Sequence, residues 1–424
     1  NRVDALWDGQ GSNANWGTVS NWVGEVVPTS GVRVSFYEGL GSGANINLNG
    51  DRTVLGLRFT DAADVALNIR SNTLTINGGG IEVAAGATGA HVIASAVALG
   101  ANQTWTNHSS ADLTVRGVIS GANSLSKQGA GRITLTNNNT FSGGLWVEKG
   151  TVRLQGHTNA AGLGAVLVGT NATLELNANV TWRSNNITLH GLGTNAAAGA
   201  INSLAGGTWN GLITLGADSR IRAEGTAAFA TRAIDAGAYT LYITNSARSV
   251  TMGGGVFNGS KTTGDGSLRK SGTNYFVLLP GSGLTGGIFL EQGLVYVGTP
   301  GTIPSGGTFV MANGTTLRSD GTTARTNAKN MLITGDITLG HAAANAAIAI
   351  TGSVDLNGGT RTLTMPNTNF ISGSISNGGL TKAGAGLLRL TGASVYSGDT
   401  TVSAGTLILN GTNASSAVTV NSGA

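Results

Sequence analysis

Apolar and polar residues alternate with a period of two along much of this chain. Ile133 and Leu135, Val152 and Leu154, Leu388 and Leu390, and Leu407 and Leu409 each stand two apart with one residue between them. Strict alternation places both apolar members of a pair on one face of a strand and turns Thr134, Arg153 and Arg389 to the other. The runs are short, and glycines stand between them at recurring places, where they supply the positive φ or close backbone approach that a sharp corner needs. Short strands between glycine corners predict the coils of a parallel β-helix. Asn49-Gly50, Asn77-Gly78 and Asn313-Gly314 suit tight hairpins as well, so an antiparallel fold is the rival reading. The same pairs serve as coil corners, which is the reading preferred here.

The pattern is built on a repeat. Leu125-Ser-Lys127-Gln-Gly129-Ala-Gly131 continues through Ile133-Thr-Leu135 and Phe141-Ser-Gly143 to Val147-Glu-Lys-Gly150-Thr-Val152-Arg-Leu154. Residues 380–409 repeat it without a gap, and residues 268–297 carry a degenerate copy. Its corner glycines are Gly129, Gly143 and Gly150 in the first copy, Gly286 and Gly293 in the second, and Gly384, Gly398 and Gly405 in the third. Lys127, Lys270 and Lys382 recur at one position and are expected to point outward, where a charge discourages lateral sheet pairing. A coil should take roughly 20 to 25 residues. Residues 46–424 then read as one continuous solenoid. The first 45 residues differ, with Trp7, Trp16 and Trp22 close together. They suit a cap over the exposed end of the core.

Leu380-Thr-Lys-Ala-Gly-Ala-Gly-Leu-Leu-Arg-Leu-Thr-Gly, Tyr396-Ser-Gly398 and Val402-Ser-Ala-Gly-Thr-Leu407 closely resemble the autotransporter-associated β-strand repeat of exported bacterial surface proteins. The copy at 125–154 is nearly as good, with Asn137 and Asn138 in place of the usual Gly-Ala and Trp146 in place of a Thr. The resemblance implies an all-β, right-handed parallel β-helix, exported and held at or released from the cell surface. It implies no enzyme and no cofactor.

Composition agrees with a repeat array. Glycine supplies 69 of 424 residues and charged residues only 10%, so solubility must come from Thr, Asn, Ser and Gly. The net charge of +4 is a small excess without the Lys/Arg clusters of a nucleic-acid reader. The absence of cysteine excludes thiolate chemistry and disulfides, and no apolar run is long enough to span a membrane. The start at Asn1 fits a signal peptide already removed or an excerpt of a longer protein. Asp61 with Asp64, Glu148 and Glu291 are the best acidic candidates for catalysis, and they read as solvated corner positions. The five histidines lack metal-ligand spacing, so no metal is expected.

These observations favour a structural surface protein over a catalyst. An open solenoid end offers strand pairing to another molecule, so head-to-tail self-assembly is expected between the Trp7, Trp16 and Trp22 region and the coil at Val418 and Val420. The alternative is an adhesin or glycan-binding passenger, distinguished by aromatic residues on one lateral face. A β-helix polysaccharide-degrading enzyme comes third.

Overall fold

The computed structural model describes residues 4–36, 44–60, 65–67, 72–182, 185–195, 198–224, 228–245, 250–252, 266–278, 285–298, 301–343, 346–414 and 417–424. It is a parallel β-solenoid, as the alternation predicts. Every strand-to-strand register given for the described residues is parallel, and the single antiparallel contact is an isolated bridge between Trp7 and Trp22. The hairpin reading of the Asn-Gly pairs is thereby set aside: Asn49 and Asn357 take left-handed φ values of 48° and 52° at coil corners instead. Two compact units divide the chain, residues 1–211 and 212–424.

In the first unit, stacked strands place one inward residue per coil in a continuous column: Ala5, Val34, Leu57, Ile81, Trp105, Lys127, Val147, Val168 and Leu189. A neighbouring column stacks Phe36 on Phe59, ring centroids 5.0 Å apart, and Phe59 on the buried His91 at 4.7 Å. In parallel in-register stacking each side chain meets its counterpart about 4.8 Å away, which lets rings of similar size lie face to face.

The second unit repeats the logic with three short strands per coil, for example Thr308–Met311, Thr315–Ser319 and Arg325–Asn327, before Asn330–Ile333 opens the next. Its inward columns include Leu268, Ile288, Phe309, Met331, Val354 and Ile375, all buried. A separate six-stranded sheet stacks Ile303, Asn327, Ile350, Ile371, Leu390 and Leu409.

The motif copies explain their own length. Lys127 pairs with Val147 and Ile133 with Val152; Lys382 pairs with Val402 and Leu388 with Leu407. One copy is therefore two strands followed by the stretch that lies directly upon both, the single strand Leu145–Leu154 in the first copy and two strands in the third. The coil beneath a corner glycine is closed by a buried asparagine. The Asn107 amide donates to Ala111 O and Arg132 O and accepts from Ser109 N, replacing the ladder bonds lost at the bend.

Candidate functional site

Three side-chain assemblies stand out: a lysine cage inside the repeat corners, a tryptophan cluster near the start, and two outward stacks of arginine on aromatic rings.

The lysines reverse the expectation. Lys127, Lys270 and Lys382 are buried, at most 1% exposed, and point into the core. Leu125 and Lys127 stand two apart on one strand and so share the inward face. The Lys127 ammonium donates to Gln128 O at 2.7 Å, Gly129 O at 2.8 Å and Lys149 O at 3.0 Å, the last contributed by the next coil. Lys270 repeats this on Ser271 O, Gly272 O and Gln292 O, and Lys382 on Gly384 O, Gly386 O and Ala404 O. A corner turns carbonyls inward where no strand can receive them, and an ammonium with three donors satisfies them together. Lys329, also fully buried, donates to Gly306 O. Removal from water lowers the Lys127 pKa to about 7 and that of Lys270 to about 8, and acts in the same direction on Lys382.

The corner glycines complete the cage. Gly129, Gly150, Gly293, Gly384 and Gly405 have φ between 71° and 79°. A Cβ at Gly150 would fall 2.2 Å from Gly129 O, the carbonyl that Lys127 holds, and one at Gly405 would fall 2.5 Å from Gly384 O. Gly143 and Gly398 are needed for close approach instead, since a Cβ there would meet backbone of the previous coil at 2.3 and 2.6 Å. Gly286 is buried beneath Gly307.

Trp7, Trp16 and Trp22 are also buried. Trp22 lies edge-on to both neighbours, at 5.0 Å from Trp7 and 4.9 Å from Trp16, and its Nε1 donates to Trp16 O. These rings form the interior of the first segment, so the apolar groups it shows to solvent are Val19, Val23 and Val26. Val418 and Val420 are exposed, at 53% and 62%.

The outward stacks were not foreseen. In the second unit, Arg220, Tyr242, Arg269, Phe289, Val310 and Leu332 lie in one register column on successive coils. All are partly exposed. The Arg220 guanidinium lies 6.0 Å from the Tyr242 ring centroid and that of Arg269 lies 4.1 Å from Phe289. Across the corner marked by Gly272 and Gly293, Tyr275 stacks on Tyr296 at 4.6 Å and 8°, and Arg318 covers Tyr296 at 4.0 Å. The alternation shows that Phe289 and Tyr296 face outward, but their alignment depends on coil lengths that vary from one turn to the next.

The acidic candidates do not converge. Asp61 and Asp64 lie outside the described residues. Glu148 accepts from Ser126 and Gln128, and Glu291 pairs with Arg269 at 2.7 Å. Among the described residues no group of three or more His, Cys, Asp or Glu could hold a metal ion, and no helix is long and apolar enough to cross a membrane.

The passenger-associated-transport-repeat family model matches residues 125–154 and 380–409, the first and third motif copies. Those two stretches thus carry the passenger-associated transport repeat. The chain is also 30% identical over 178 residues to the adhesin BmaC autotransporter of Brucella suis biovar 1 (strain 1330). That match covers 41% of this chain and about 5% of the relative. No solved structure matches.

Proposed function

We propose that the chain is a non-enzymatic, adhesive segment of an exported bacterial surface passenger, with the lateral face of the second unit as its contact surface. The outward Arg–aromatic columns carry this reading. Aromatic side chains in a solenoid are most useful in the core, yet here Tyr242, Tyr275, Phe289 and Tyr296 stand on the outside in aligned stacks. Aromatic and arginine side chains are the groups that most often dominate binding surfaces. The passenger-type repeat and the adhesin relative support the same class and an extracellular location. Beads coated with the purified chain should adhere to cell monolayers, and Phe289→Ala with Tyr296→Ala should abolish adhesion without changing the fold. Adhesion that survives both substitutions counts against it.

Head-to-tail self-assembly is the second reading, and exposed apolar groups favour it. Val19, Val23 and Val26 in the first segment face solvent and would meet the strand Val418–Val420 of a second copy. The tryptophans would then shape the first surface from beneath. Electron microscopy of concentrated protein should show end-to-end filaments that Val418→Asp with Val420→Asp disperses; dispersed particles from the unsubstituted chain overturn it.

A further inference from the structure

We infer that the corner ridge at Gly272, Gly293 and Gly314 is a binding edge for an extended anionic glycan, one bearing carboxylate or sulfate groups. This rests on the adhesive reading above and names the ligand class of the same surface. Two stacks reach the ridge: Arg269 and Phe289 on the strands entering the corner, their register column continued on the two preceding coils by Tyr242 and Arg220, and Tyr275, Tyr296 and Arg318 on the strands leaving it. In each, a guanidinium lies over a ring, closest for Arg269 on Phe289 and Arg318 on Tyr296. A guanidinium held by its face keeps its N–H groups in its own plane, where they form a fork that matches the oxygens of an oxyanion.

The Arg318 charge is available to a ligand: it makes no ion pair among the described residues, whereas Glu291 engages one nitrogen of Arg269. Hydroxyl pairs run alongside, Thr240 with Ser267 and Thr244 with Ser271, each at 3.0 Å, and can receive sugar hydroxyls.

Spacing selects a glycan over a peptide. Successive rungs lie about 4.8 Å apart, whereas an extended peptide advances about 3.3 Å per residue and turns alternate side chains away. One rung is close to the length of one pyranose unit in an extended chain, so successive sugars meet successive rungs. An acidic peptide drifts out of step.

The test measures binding of the whole chain to heparin-derived and oligogalacturonate probes of increasing length, beside neutral dextran and polyglutamate. The expected result is binding of both anionic glycans, affinity that rises with length and falls with salt, and a loss of about tenfold for each of Arg220→Gln and Arg318→Gln. Arg153→Gln in the first unit should leave binding unchanged, and melting curves report whether each variant is folded. Wild-type affinity in the Arg220→Gln, Arg318→Gln double variant overturns the inference. So does polyglutamate or dextran binding as tightly as the anionic glycans. Beads that adhere through the stacks while no anionic glycan binds overturn the ligand class and leave the adhesive reading intact. Beads that never adhere overturn the adhesive reading itself.

Discussion

The two units use aromatic residues in opposite ways. In the first, Trp105, Trp182 and Trp209 are buried, Trp182 and Trp209 stacking at 6.3 Å, and the outer face carries paired charges. Arg132 chelates Asp112 at 2.8 and 2.9 Å, Arg153 meets Glu175 at 2.9 Å, and Arg58 meets Glu82 at 3.4 Å. In the second, the interior is mostly aliphatic with Phe229, Phe276, Phe309 and Tyr396, while Tyr242, Tyr275, Tyr296, Phe289 and their arginines stand outside. Trp146, 44% exposed beside Leu167, is the exception in the first unit. The same coil can therefore satisfy itself with charge pairs or present an aromatic surface. The choice lies in outward residues the fold does not constrain.

Substitution at the aromatic positions tests this contrast most strongly. Trp105→Ala in the first unit should cost about 3–5 kcal/mol, since it opens a large cavity and strands the Gln103 side chain that accepts from its indole. Phe289→Ala in the second should cost about 1 kcal/mol or less. Urea unfolding of the two variants decides it; equal losses would erase the distinction.

The corners should behave alike in both units. Gly150→Ala and Gly293→Ala each force a side chain into left-handed backbone and against a carbonyl of the preceding coil, and should cost about 3 kcal/mol. Hydrogen exchange at the neighbouring strands would show whether opening stays local, as expected for a stack held by nearest neighbours. Somewhat smaller is Lys127→Met or Lys270→Met, which fills the space but leaves three inward carbonyls without a donor, at about 1–3 kcal/mol.

Those lysines also give a pH signature. Lys127 has a pKa of about 7 when folded against 10.5 when exposed, so between those values the unfolded chain holds more protons and stability rises with pH. The gain is complete above 10.5 and absent below about 7. Thermal melts across this window should rise more steeply for the wild type than for Lys127→Met. The smallest effect is expected at the surface: Arg269→Gln loses an exposed pair with Glu291 and should shift stability by about 0.5 kcal/mol, less at high salt.

Much of the fold was legible because a period of two allows only one inward face. Ile133, Leu135, Val152 and Leu154 point inward as the alternation requires. The lysines were misread although the same rule covers them. Leu125 and Lys127, Leu268 and Lys270, and Leu380 and Lys382 share parity, but a charged side chain looks like a surface group until three carbonyls are found around it. The tryptophans are close in sequence, while their burial depends on how the first segment folds over its own rings.

By itself, the sequence determined the local terms: which residues face inward, where the chain turns, and which segments repeat. These depend on neighbours within a few residues. The columns were decided only by the tertiary structure. Tyr242 meets Arg269 and Arg269 meets Phe289 across turns of 27 and 20 residues, the corners absorbing the difference, so the alignment follows from how each corner folds and not from a fixed sequence spacing. The caged ammoniums belong to the same class, because their third carbonyl arrives from the coil above.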